Sequence, residues 1–347
     1  MTERARLGLL LPAGPEASPA VVAERAREAE LAGFGSAWTI EDYYSWECFA
    51  ALGYVAAATE RIELGVGITT PYVRSPAVLA SAAATLDRCA NGRFTLGIGR
   101  STAALLRQIG IADRTPLTML AETAEALRLL WTGATIDYHG KFVELDRVRL
   151  EALPEQGSVP IWFGVLGPKA LRAAGRFADG ALITTFVGVP YVRWAAEQVR
   201  AGAIEAGRDP NAVEIAIMVR VRVGMDRERA LDEAKTALAL AYAMPGRGEL
   251  LLRDSGIDLA VLDPMRAALR IDELVAEGLE PYLHALERVD AASVAATVPT
   301  DLVERSMVAG DPAACRAGLA AFMAAGATRI LVESPQPAAE LIAALGE

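Results

Sequence analysis

Short, nearly continuous apolar runs recur along the chain, separated by longer stretches whose apolar residues repeat at helical spacing. The runs lie at 7–11, 36–40, 62–68, 94–98, 160–164, 181–184, 213–219 and 328–332. Each is strand-length and apolar on both faces, the pattern of a strand covered from two sides. The helical stretches carry start and stop signals. Ser18-Pro19 opens the first and Gly33 stops it. A second covers 47–59. Ser75-Pro76 opens a third, which reaches Cys89 before Asn91-Gly92, and a long one covers 116–131. Two passages break the rhythm. Residues 134–150 alternate around His139-Gly140 and predict a β-hairpin. Residues 226–306 are helical, charged and irregular, and read as an insertion. Helices over 312–325 and from Pro337 close the series. Eight strand–helix units predict a parallel sheet covered by helices, closed as a TIM (β/α)8 barrel, in one domain spanning 1–347. A doubly wound open sheet is the other arrangement, but no Gly-x-Gly-x-x-Gly follows the first strand.

The stretch Ile161-Trp162-Phe163-Gly164-Val165-Leu166-Gly167-Pro168 reads as a buried strand, a glycine turn and a helix with proline at its first position. Free N–H groups and the positive end of a helix meet in such a turn, which makes it an anion cradle. Gly164 and Gly167 let a phosphate approach the backbone. An ordinary strand–turn–helix needs the same glycines for geometry alone, so the motif by itself favours neither reading.

Composition narrows the function classes. The 347 residues include 34 Lys and Arg against 44 Asp and Glu, a net charge of −10. With basic residues few and scattered, this argues against a nucleic-acid surface. Only His139 and His284 are present, which argues against a multi-histidine metal centre. Both are expected to be solvated. Cys48, Cys89 and Cys315 form no CxxC pair and read as buried free thiols in a reducing cytoplasm. No signal-peptide layout or membrane-length apolar span is visible. Hydrophobic residues make up 53%, leaving material for a large core and an oligomer interface.

In a barrel, chemistry belongs at the C-terminal ends of the strands. There stand Glu41, Asp42, Tyr43, Tyr44 and Trp46; then Gly67 through Tyr72; then Gly99, Arg100 and Ser101; then the Gly164–Gly167 turn; then Thr184, Thr185 and Phe186; and Glu333-Ser334. This aromatic, hydroxyl-rich and glycine-rich rim suits a planar conjugated ring with a phosphorylated tail. Arg100 either pairs with an anion or caps the next helix. Trp46 and Phe186 read as packing or substrate walls, and Glu333 as a satisfied structural acid.

Four segments carry a family resemblance. They are Gly33-Phe34 through Trp38-Thr39-Ile40-Glu41-Asp42-Tyr43, Leu64-Gly65-Val66-Gly67-Ile68-Thr69-Thr70-Pro71-Tyr72 through Pro76, Leu86-Asp87 through Gly99, and Gly167-Pro168 through Gly180. They resemble the bacterial luciferase-like superfamily, and within it the methylenetetrahydromethanopterin reductase-like branch, which uses the deazaflavin coenzyme F420. The resemblance implies a homodimeric TIM-barrel oxidoreductase that passes hydride between the deazaflavin and a small organic substrate. It implies a non-prolyl cis peptide at Gly67-Ile68, with Gly67, Ile68 and Thr69 behind and beside the ring. It implies that Asp42 is the ring-side acid and Tyr43 its catalytic neighbour. Gly99, Arg100 and Ser101 would join the cofactor site, and Gly164, Val165, Leu166, Gly167 and Pro168 would take the phosphate. Two positions depart from the family pattern. Tyr43 stands where many relatives have histidine, and a phenol of pKa near ~10 is a donor rather than a base at neutral pH. Leu10 stands where the methanopterin reductases place a glutamate. An FMN monooxygenase fed by a separate reductase, and a catalytically silent flavin-binding protein, are the alternative readings.

Overall fold

The computed structural model describes residues 6–111 and 117–346. Eleven strands occur among them in chain order: β1 (Leu7–Leu10), β2 (Ser36–Thr39), β3 (Glu63–Thr69), β4 (Phe94–Gly99), β5 (Ile136–His139), β6 (Glu144–Val148), β7 (Ile161–Gly164), β8 (Gly180–Ile183), β9 (Glu214–Val223), β10 (Val308–Gly310) and β11 (Arg329–Glu333). Eight of them pair parallel in the order β1-β2-β3-β4-β7-β8-β9-β11, and β11 returns to β1 through Leu7 opposite Ile330. The sheet is therefore closed, and the barrel prevails over the open doubly wound arrangement. β5 and β6 form the expected antiparallel hairpin beside it.

Helices fill the crossovers where the caps place them. Ser18 accepts the Val21 N–H to start Pro19–Ala32, and Gly33, at φ 100°, ends that helix in the left-handed region. Ser75 caps Pro76–Cys89 in the same way. The helix expected over 116–131 is described as Leu117–Leu130; Pro116 lies outside the described residues.

The barrel interior is packed. Trp38 and Trp162 lie with ring centroids 4.9 Å apart, among Leu10, Ile68, Leu182, Ala216, Met218 and Leu331. Two indoles fit in so narrow a space because the strands facing them carry glycine. A Cβ on Gly65 would lie 2.3 Å from Trp38 Cε3, and one on Gly180 would lie 2.7 Å from the Trp162 ring. The Trp38 Nε1–H donates to Ser36 Oγ at 2.9 Å, so the indole brings no unsatisfied donor into the core. This plug closes the barrel below the mouth and leaves the C-terminal ends of the strands to build a site.

Several expectations need correction. β9 does not stop at Val219 but continues to Val223, carrying Arg220 and Arg222 to the mouth. Its extension pairs with β10, a three-residue strand that apolar patterning does not reveal. Cys48 and Cys315 are buried, but Cys89, at the end of its helix, is exposed. His139 is solvated beside Glu144. His284, by contrast, is partly covered: its Nε2 meets Gln108 Nε2 at 2.8 Å and its Nδ1 meets Glu287 at 3.1 Å. With Thr102 donating to the buried Glu280, this contact ties the insertion to helix Ala103–Gln108 behind the β4 rim.

Candidate active site at the barrel mouth

The rim of β3 departs from regular pairing. Its register against β4 shifts between Val66 and Thr69, and the Gly67–Ile68 peptide is cis, as the resemblance implies. The shift throws the Ile68 side chain across the ends of the next two strands. A Cβ on Gly99 would lie 2.9 Å from Ile68 Cδ1, and one on Gly164 would lie 2.6 Å from Ile68 Cγ2. Glycine at both positions thus seats Ile68, which stays partly exposed at the mouth. Ile68, Gly99 and Gly164 thus meet, whereas Gly67 faces Leu182 and Trp38 in the barrel interior.

Thr69 behaves otherwise. The resemblance puts it at the ring edge, but the structure buries it completely and turns its hydroxyl onto Glu41. Thr69 Oγ1–H donates to Glu41 Oε2 at 2.8 Å, and the oxygen accepts from Arg74 Nη1 at 3.0 Å. Glu41, singled out in the sequence only as one of the residues after β2, is the hub here. Its carboxylate also takes the Thr70 N–H at 3.3 Å and is paired with Arg74, which bonds Glu47 as well. Glu41, Glu47 and Cys48 converge closely enough to hold a metal ion, but the cation between the two carboxylates is the Arg74 guanidinium. Burial, followed by the charges of Glu41 and Glu47, pushes the Cys48 thiol far above its ordinary range, so it is inert.

Asp42 and Tyr43 follow Glu41 on the same loop. Asp42 Oδ1 accepts the Tyr44 N–H at 3.1 Å, which folds the loop back on itself, and the carboxylate remains partly exposed. The Tyr43 phenol shares a hydrogen bond with the Ser101 side chain, bringing the β2 and β4 rims together. Burial pushes its pKa up to about 12; the Ser101 bond opposes this and Glu41 adds to it. Tyr43 is a neutral donor throughout the physiological range. Ser101 itself sits at φ 58°, a left-handed turn that redirects the chain after β4. Arg100 is exposed beside Tyr72, whose phenol burial raises to about 12 against the pull of that guanidinium. Thr102, not Arg100, caps the next helix.

In the glycine turn, Gly167 is the N-cap of helix Pro168–Phe177 and receives no side-chain cap. A Cβ there would meet nothing within 4 Å, so the approach to the helix end is open. Val165, in contrast, spends its N–H on Leu182 O at 3.2 Å and is no anion donor. Pro168 has no N–H and serves to start the helix. The turn is held from behind by Tyr191, whose hydroxyl donates to Leu166 O at 2.6 Å.

The far side of the mouth is basic, which the apolar pattern of the sequence does not reveal. Arg220 pairs with Glu333 at 2.6 Å, which makes Glu333 the satisfied acid expected, and stacks 4.7 Å from the Phe186 ring. Phe186 is buried and packs rather than lining the site, whereas Trp46 and Tyr44 are exposed. Arg247, from the insertion, donates to Thr184 Oγ1 at 3.1 Å.

Three comparisons place this geometry. The sequence model of the luciferase-like monooxygenase family matches residues 5–329. The 5,10-methylenetetrahydromethanopterin reductase of Methanopyrus kandleri is 28% identical over 336 residues, 92% of this chain and 90% of that protein. The F420-dependent glucose-6-phosphate dehydrogenase of Nakamurella multipartita is 32% identical over 237 residues, 64% of this chain and 69% of that protein. In three dimensions the chain is similar to the coenzyme F420 dependent tetrahydromethanopterin reductase from Methanopyrus kandleri, with a TM-score of 0.81 and 27% identity over 97% of this chain and 96% of that one. An F420-dependent secondary alcohol dehydrogenase, at 22% identity and a TM-score of 0.75, shares the fold. The bulged third strand, the seated isoleucine and the open glycine turn thus sit on a barrel matched almost end to end, and the chain belongs to the luciferase-like monooxygenase family.

Proposed function

We propose that this protein is an oxidoreductase that moves a hydride between coenzyme F420 and a small organic substrate at the barrel mouth. The observation that carries the proposal is the near-complete structural likeness to an F420-dependent reductase. The mouth also fits such a guest. Ser45 Oγ, Thr70 Oγ1 and Tyr72 OH are buried around the rim without hydrogen-bond partners among the described residues. Buried hydroxyls are costly when unpaired and call for a partner. The Gly167 helix end is open to an anion.

Bound there, the deazaflavin supplies the carbon that gives or takes the hydride. The chain's own work is placement. Ile68 would support one face of the ring and keep water from it, with Gly99 and Gly164 leaving that side chain room. The Leu166 and Gly167 N–H groups receive the phosphate at the start of the helix. Tyr43 holds its proton at the phenolic oxygen and offers it as an acid, beside the Asp42 carboxylate. Arg100 and Ser101 close the ring side, and the exposed Trp46 and Tyr44 border the substrate side. Fixed donors and a fixed ring face convert a bimolecular hydride transfer into a positioned one.

Helices Cys48–Ala58 and Pro76–Cys89 each expose a large apolar side chain, Tyr54 and Val78, which supports a homodimer through these helices. Sedimentation at micromolar concentration tests it, and a monomer rejects it. No helix among the described residues is long and apolar enough to cross a membrane. The unpaired cysteines support a cytoplasmic setting.

Equilibrium titration with F420 and with FMN tests the functional reading. Saturable binding of F420 at lower concentration than FMN supports it. Preference for FMN, with oxygen consumed on turnover, replaces it with the monooxygenase reading.

A further inference from the structure

Glu41 is a nearly buried carboxylate, its side chain 4% exposed, in a place where burying a charge requires a reason. Apart from its pairing with Arg74 and a contact from the Cys48 thiol at 3.7 Å, the bonds it makes lead to the bulge of β3. Its backbone N–H donates to Ile68 O at 3.3 Å. Its Oε2 accepts from the Thr69 hydroxyl at 2.8 Å and from the Thr70 N–H at 3.3 Å. Its Oε1 pairs with Arg74, which in turn donates to Thr69 at 3.0 Å and lies 5.0 Å from the Phe49 ring. Main chain and side chain of one residue therefore hold the last two residues of the neighbouring strand and the one that follows, and Arg74 holds Thr69 from the other side.

We infer that Glu41 is a positioning residue that sets the height of Ile68, and so the plane of the cofactor ring, without touching either reacting molecule. The inference rests on the proposed cofactor reading, because it assigns Ile68 to the ring face. A carboxylate suits the task better than a neutral side chain. It accepts in several directions at once, donates in none, and makes charge-assisted bonds about twice as strong as those between two neutral groups. An amide in its place sets its NH2 either against the Arg74 guanidinium or against the Thr70 N–H, so one of the two contacts is lost. Thr69 is thus a strut, which explains why its hydroxyl is buried where a ring contact was expected.

Fluorescence titration of F420 into four purified full-length proteins tests this: wild type, Glu41→Gln, Ile68→Ala and the double variant. Glu41→Gln is expected to raise the dissociation constant about tenfold, and the same change in the Ile68→Ala background less than about twofold. The absorption band of bound F420 is expected to shift in Glu41→Gln and not in a distant destabilised control. If Glu41→Gln fails to fold, Thr69→Val removes one strut and leaves the Glu41–Arg74 pair, with a rise of about threefold expected. Equal loss of affinity in both backgrounds means that Glu41 is merely structural, and unchanged affinity in Glu41→Gln and Thr69→Val removes the clamp; either overturns the inference. If wild type binds neither F420 nor FMN, the cofactor reading fails and the clamp falls with it. Wild-type binding with an indifferent Glu41 defeats the clamp alone.

Discussion

Gly164 is where a single methyl group separates a seated Ile68 from a displaced one. The Gly164→Ala backbone is unstrained, but its Cβ would stand 2.6 Å from Ile68 Cγ2. Carbon atoms prefer about 3.5–4.0 Å, so the overlap is roughly 1 Å. Ile68 is β-branched and stiff at χ1, and Gly99 blocks its other side, so the side chain moves toward the mouth. Overpacking of this size costs about 1–3 kcal/mol of stability, read in a urea melt. A ring raised by about 1 Å loses on the order of a hundredfold in turnover. Stopped-flow spectroscopy of the F420 band during hydride transfer measures the second effect. Two controls locate the cause. Ile68→Ala removes the clashing carbon and is expected to recover stability in the double variant, whereas Ile68→Val keeps Cγ2 and is expected not to. Wild-type stability and turnover in Gly164→Ala, or equal rescue by Ala and Val, would refute the reasoning.

Tyr43→Phe is expected to lower the turnover number roughly a hundredfold with little change in cofactor affinity, and the wild-type pH–rate profile between 6 and 9 should carry no limb from this phenol, whose pKa is about 12; full turnover in the variant removes Tyr43 from the chemistry. Gly65→Ala would drive a methyl to 2.3 Å from Trp38 and is expected to cost about 3 kcal/mol or more in denaturant unfolding, whereas a cost under about 1 kcal/mol would mean that the indole plug is loosely packed. Glu30 accepts the N–H groups of Glu60, Arg61 and Ile62; partial burial alone would raise its pKa, but these bonds hold it below the ordinary 4.5. Because the folded pKa is depressed, the stabilisation is complete above pH 4.5 and is lost as pH falls through the folded value. Glu30→Gln should therefore lose about 1 kcal/mol or less at pH 7, because solvent screens the partly exposed carboxylate, with the gap to wild type closing below pH 4.5; a gap independent of pH contradicts this.

Much of the architecture was readable before folding was considered, because barrel strands buried on both faces leave continuous apolar runs and helix caps leave short polar signatures. The eight strands and the 134–150 hairpin follow from these alone. The errors share a cause. Arg220 and Arg222 lie in β9, where the alternation Arg-Val-Arg-Val continues the strand past the covered region; the period of two was there to be read, but the charges masked it. β10 has three residues and owes its existence to that overhang. The site divides in the same way. The cis bond at Gly67–Ile68 and the glycine turn could be placed through motif resemblance. Glu41 could not, since its partners Thr69 and Arg74 lie 28 and 33 positions away, and an acid after a strand is unremarkable until the barrel closes. Val165 shows the converse: a residue with the right address whose N–H the β8 backbone had already taken.

A crystal structure of the protein with F420 bound examines the proposed site as a whole. The expected density places the tricyclic ring against Ile68, between the Gly99 and Gly164 rims, with the phosphate at the Leu166 and Gly167 N–H groups and Tyr43 beside the ring. A ring bound away from Ile68, or a phosphate held elsewhere while the Gly167 helix end stays empty, would contradict it.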